Sequence, residues 1–207
     1  SGWFTTITKQ FWNCWAWMYD ENNEVFPHLV TEIPSLENGG ISEDGLTITM
    51  KLRDDIKWSD GTPITSEDFM FTWEMTVDPK NTVTSTYPYD LITGIETPDA
   101  QTVVMKFDAP FAAWNTLWWG IVPAHILKPV YESDGTLDNA EWNNNPTVGC
   151  GPYNFVEWET GSFARFVRND NYFGTAAKID ELFIRFVPDD TAQTNALVAG
   201  DDDLGLF

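Results

Sequence analysis

At 207 residues the chain is long enough for one domain with a sizeable core, or for two subdomains sharing one. Its 32 acidic residues against 11 basic ones leave a formal net charge of −21, which argues against a nucleic-acid binder and against adsorption to an anionic membrane; such a surface is first a solvation device. Eleven Trp, fourteen Phe and six Tyr exceed what a core of this size ordinarily uses, so stacking surfaces are expected besides packing.

No apolar run approaches the roughly 18–20 residues of a membrane span. No basic stretch followed by an apolar core is present, so no signal peptide is read within the chain. For Cys14 and Cys150 two small buried thiols are the expected state, with a single disulfide as the alternative.

Taken in order, Thr5 to Trp17 reads as an aromatic-rich helix, with Phe11, Trp12 and Trp15 at spacings that make one packed face. Asp20 to Glu24 is a polar turn. It lacks the spacing and the glycine of a calcium loop. Thr47 to Arg53 alternates as a half-buried strand, Ile48, Met50 and Leu52 against Thr47, Thr49 and Lys51. Asp60-Gly61 turns the chain. Thr65 then stands as a helix N-cap, and Asp68 completes an aspartate version of the capping box. Phe69, Trp73 and Val77 follow at helical spacing, until Asp78-Pro79 closes the element.

From Pro79 to Asp90 the composition is that of a loop. Leu91 to Thr97 and Thr102 to Phe107 form a hairpin across Pro98 to Gln101. Pro110 to Trp119 reads as a short helix with Trp114, Leu117 and Trp118 on one face and Trp119 elsewhere. Tyr131 to Pro146 reads as an exposed loop or ragged helix. Gly149 and Gly151 lack the lysine of a phosphate loop and are read as allowing a tight turn into a strand. A second hairpin joins Asn154–Trp158 to Phe163–Arg168. Leu182 to Val187 is a strand, and a helix capped by Asp189 or Asp190 ends at Gly200.

Three blocks carry a resemblance. The run KLRDDIKWSDGTPITSEDFMFTWEMTVDP from Lys51 to Pro79 resembles the signature of solute-binding family 5, the extracellular receptors of peptide- and nickel-type ABC transporters. The Gly-Cys-Gly-Pro-Tyr hairpin within Val148 to Gly174, and the strand, helix and acidic ending from Lys178 to Phe207, are similar to the same family in the same order. The resemblance implies an α/β fold of mixed α+β kind: a periplasmic-binding-protein-like class II lobe with a mixed sheet, helices and a hairpin-rich subdomain. It further implies a main part over 1–59 and 143–207, a smaller inserted part over 60–142, and a second lobe absent from this chain. A leader or a lipid-anchored cysteine upstream of Ser1 is expected, with a periplasmic or extracellular location.

By the same resemblance the function is that of a receptor which closes two lobes around an oligopeptide or dipeptide and delivers it to the transmembrane permease subunits. It implies no catalysis and no cofactor, and weak binding by one lobe alone. The ligand-facing residues it implies are Trp3 and Phe4 before the first helix, Tyr87 and Tyr89 in the loop, and Trp118 and Trp119. For the tyrosines a surface role is the alternative, and for the tryptophan pair a core role for at least one. The tryptophan content keeps open an oligosaccharide stacked on Trp3, Trp118 and Trp119. A nickel site is unsupported, since His28 and His125 stand far apart with no ligand cluster. A glycosidase needs two carboxylates at a set separation, a pairing that sequence cannot display. Serine- or cysteine-hydrolase, zincin and P-loop motifs are all missing.

Overall fold

The computed structural model describes residues 8–187 and 189–205. Within them the strands form three antiparallel sheets. β1 (Trp17–Tyr19) pairs with β2 (Val25–Pro27) in a small ribbon. β3 (Thr47–Lys51) lies beside β5 (Thr102–Phe107), which pairs on its other side with β4 (Ile92–Asp99). β6 (Tyr153–Glu159), β7 (Phe163–Arg168) and β8 (Glu181–Arg185) follow one another as a meander. The sheet expected to be mixed is therefore antiparallel in every described pairing.

Strand alternation places the core. Ile48 and Met50 of β3 and Val103 and Met105 of β5 are buried, on the face covered by helix α1 (Ser66–Val77). That helix begins as its residues dictate. Thr65 accepts from the Glu67 N–H while the Asp68 carboxylate accepts from the Thr65 N–H, and Asp78 ends the element ahead of Pro79. Its buried side chains serve two clusters. Phe69 enters the main core, while Phe71 and Met75 meet Ala124 and Leu127 of helix α2 (Ala124–Asp134).

Two expectations are corrected here. α2 occupies Ala124–Asp134, of which only 131–134 lie in the stretch read as a loop or ragged helix, and Pro129 inside it hides the period. Its start is capped from outside: Asp68 Oδ1 accepts the Ala124 N–H at 3.0 Å, so no local side chain announces it. The aromatic helix expected to run to Trp17 ends earlier, with residues 8–12 helical and β1 beginning at Trp17. Asn13 Oδ1 takes the Cys14 N–H, and the Ala16 carbonyl accepts from His28 and Leu29, which commits this stretch to extended structure. Helix α3 (Asp190–Ala199) follows its sequence signals, with Asp189 accepting from Thr191 and Ala192 and Gly200 in the left-handed region.

Cys14 and Cys150 are joined in a disulfide, which corrects the expectation of two thiols. The bridge marks a crossing of two backbones. Cys150 N–H and Gly151 N–H both donate to the Trp12 carbonyl, and a Cβ on Gly151 would lie 2.5 Å from the Phe11 carbonyl oxygen. Gly149 and Gly151 are thus required for close approach of chain to chain. Neither adopts the positive φ that a glycine turn would use.

Candidate functional site

The loop between β5 and α2 carries Trp118 and Trp119, and its backbone decides where each goes. The expected helix is reduced to a single 3-10 turn, Trp114–Thr116. Leu117 is extended, and Trp118 follows at φ +64, a left-handed value uncommon for a bulky residue. Side chains from other elements hold that conformation. Tyr89 Oη accepts the Trp118 N–H at 2.8 Å, Trp17 Nε1 donates to the Asn115 carbonyl at 2.6 Å, and the Ala16 N–H donates to the Trp118 carbonyl. The reversal sends the two indoles in opposite directions.

Trp118 is fully buried, with Phe69 and Tyr89 edge-on against it at 5.1 and 5.4 Å. It is a core residue, so its expected contact with ligand is corrected. Tyr89 belongs to the same packing. Burial pushes its pKa up to about 12, so its hydroxyl stays protonated beside the Trp118 N–H. Trp119 is 47% exposed and lies flat on Trp15, the rings 5.5 Å apart and 12° from parallel. Tyr87 is also exposed, edge-on to Phe111, at the cis Tyr87-Pro88 bond. Trp3 and Phe4 lie outside the described residues. The structure therefore offers Trp119 and Tyr87 to solvent and assigns Tyr89 and Trp118 to the scaffold behind them. Trp15, read in sequence as a helix-face core residue, is the partner that makes Trp119 a stacked pair. Its spacing gave no sign of that, because the pairing partner is 104 positions on, counting 119 minus 15.

Beside the stack, Gly120 stands at φ +112. A Cβ there would lie 2.6 Å from Lys9 Nζ and 3.1 Å from Asn13 Nδ2. Gly120 is thus required by its backbone, and the end of Lys9 packs against it.

Carboxylates elsewhere are in structural use. A groove of about 410 Å³ runs between the starts of α1 and α2, lined by Asp68, Glu67, His125 and Lys128 among others. Asp60 pairs with His125, Glu67 with Lys128, and Asp68 holds two backbone N–H groups. Burial raises the Asp68 pKa. Asp20 accepts from the Asn22 and Glu24 N–H groups, a turn lock with its pKa lowered foremost by the Glu24 bond. His28 is bonded to the Trp15 carbonyl and Tyr172. Among the described residues no group of three or more His, Cys, Asp or Glu could hold a metal ion, and no helix is long and apolar enough to cross a membrane.

The mixed helix and antiparallel-sheet lobe has a fold shared with periplasmic binding proteins of known structure. Residues 24–205 match the bacterial extracellular solute-binding proteins of family 5, and the chain belongs to that family. The chain is 30% identical over 164 residues to the oligopeptide-binding protein AppA of Bacillus subtilis, covering 77% of this chain and 30% of that protein. The structure of AppA in complex with a nonapeptide superposes with a TM-score of 0.83 at 26% identity, over 95% of this chain and 38% of that one. NikZ from Campylobacter jejuni, in complex with Ni(L-His), does so at 0.83 and 27%, over 93% and 37%. A heme-binding protein A of Haemophilus influenzae is 30% identical over 191 residues, 83% of this chain and 34% of that protein. The chain spans about a third of the length of these relatives.

Proposed function

We propose that this lobe is part of the extracytoplasmic substrate-binding component of an ABC importer, which binds oligopeptides or dipeptides and hands them to the membrane permease without transforming them. Membership of the family and its likeness to AppA support the class. The observation that carries the ligand-facing side is the exposed Trp119, held flat on Trp15 while its neighbour Trp118 is locked in the core. A peptide laid along this ledge gains apolar contact with Trp119, and loose pockets of that kind tolerate many side chains. Ligand contacts made only in the closed form of a two-lobed receptor bias its open-to-closed equilibrium, and that differential affinity is the whole driving force.

A second reading, an oligosaccharide stacked on the same indole, is favoured by the flat and accessible face of Trp119. One experiment separates the two. The complete natural gene product, purified without denaturation, is examined by native mass spectrometry for retained molecules and then titrated calorimetrically with di- to pentapeptides and with oligosaccharides. Peptide masses and micromolar peptide affinity, reduced about tenfold in Trp119→Ala, are expected. Retention of sugars with no heat from any peptide would replace the first reading by the second.

A further inference from the structure

Lys9 is out of place in this chain. Six of its basic residues, Arg53, Lys106, Lys128, Arg165, Arg168 and Arg185, lie against a carboxylate. Of the others, Lys51, Lys57, Lys80 and Lys178 are exposed to water. Lys9 has neither remedy. As a residue it is only partly exposed, and its ammonium end is crowded enough that burial lowers its pKa. With 32 acidic residues in the chain, a carboxylate partner would have been easy to supply.

Asn13 beside it is 3% exposed, and its amide orientation is fixed. Oδ1 accepts the Cys14 N–H at 2.8 Å and the Ile121 N–H at 3.3 Å, so Nδ2 must face the other way. There it has no acceptor among the described residues, which for a buried donor costs about 1–3 kcal/mol. Nδ2 and Lys9 Nζ both lie against Gly120, 3.1 and 2.6 Å from where its Cβ would stand. The buried Trp15 Nε1 also lacks an acceptor, and its ring carries Trp119, the residue before Gly120. A basic amine and a buried amide donor are the complement of an anionic oxygen group, and the stacked indoles beside them suit a carboxylate borne on a flat or apolar body.

We propose that Lys9 and Asn13, at the backbone of Gly120, form an anion subsite that takes a carboxylate of the ligand while Trp119 carries the adjoining part. This rests on the reading of the lobe as a solute receptor and specifies an end of the solute. The carboxylate could be a peptide C-terminus or belong to a small organic acid; both offer the two oxygens that Lys9 and Asn13 lack.

The test uses 4-bromobenzoate, an acid on a stackable ring, with 4-bromobenzamide as the neutral control, on the complete natural gene product. Calorimetry is expected to show the acid bound about tenfold more tightly than the amide or better, the preference lost in Lys9→Met and kept in Lys9→Arg. Anomalous diffraction from soaked crystals should place bromine over Trp119, with the carboxylate on Lys9 Nζ and Asn13 Nδ2. Equal binding of acid and amide, or bromine elsewhere, overturns the subsite, and neither measurement needs a variant to fold. Di- to pentapeptides and their C-terminal amides then distinguish the source. A tenfold preference for the peptide acid that depends on Lys9 identifies a peptide C-terminus, and bromobenzoate at the site with no peptide bound identifies an organic acid. Peptides bound equally as acid and amide, with no bromobenzoate at Lys9, would leave the peptide reading standing and remove the subsite.

Discussion

The start of α1 and the segment from Lys9 to Trp15 both bury polar groups, and they treat them in opposite ways. At α1 the Asp68 carboxylate is spent completely: one oxygen takes the Thr65 N–H, the other the Ala124 N–H, so a single buried residue caps two helices. Between Lys9 and Trp15 the donors outnumber the acceptors. Among the described residues, Asn13 Nδ2 and Trp15 Nε1 are buried without partners and the Lys9 ammonium lies against no carboxylate. Matched burial makes a scaffold, because each donor removed from water is repaid inside. Unmatched burial is a standing cost, and under the proposed subsite a ligand carboxylate would meet it between Lys9 and Trp15.

The largest effect is expected where the unmatched segment is clamped. The disulfide closes a loop with a sequence separation of 136, which on the chain-entropy argument is worth about 5 kcal/mol. Cys14→Ser with Cys150→Ser should lower the stability found by urea denaturation by several kcal/mol and loosen the crossing at Gly149 and Gly151. Reduction of the native protein should do the same, with a mass gain of two hydrogens. A loss below about 1 kcal/mol would mean that the backbone bonds to Trp12 hold the crossing unaided.

Next in size is the matched site. Asp68→Ala strands the Thr65 and Ala124 N–H groups and should cost about 3 kcal/mol, whereas Asp68→Asn, which keeps an acceptor, should cost less. Thermal melts of the two variants check the order. Equal losses would show that both carboxylate oxygens, and not the volume of the side chain, matter there.

The same contrast explains what could be read from sequence. Local bonds announce themselves: Thr65 with Asp68, Asp189 before α3, and the alternation of β3 and of both hairpins all appear as spacings and are found in place. Features fixed across the chain do not. α2 is capped from Asp68, 56 residues away, and Trp118 is turned into the core by the hydroxyl of Tyr89. Of the candidate site, Trp119 and Tyr87 were legible as exposed aromatics in a family context. Lys9 and Asn13 were not, because a lysine and an asparagine in an aromatic stretch carry no signal until Gly120 folds against them.

The smallest effect tests a matched edge of the Lys9–Trp15 segment. The Trp15 carbonyl can only accept, so His28 Nδ1 carries a proton and donates to it at 3.0 Å, leaving Nε2 to accept from the Tyr172 hydroxyl at 2.8 Å. That arrangement is complete with a neutral ring. Burial lowers the His28 pKa, the Trp15 bond partly opposes this, and the Arg53 guanidinium lowers it further. The unfolded chain, with an ordinary histidine near 6.5, therefore binds a proton before the folded one does. Stability from this group is complete above the unfolded value and is lost as pH falls from there through the lowered folded value. The slope can reach at most about 1.4 kcal/mol per pH unit for one proton. Denaturation between neutral and mildly acid pH should show that decline, and His28→Gln should flatten it by up to one proton. A decline of unchanged slope in His28→Gln would assign it to other groups and leave the Trp15 contact without a titratable lock.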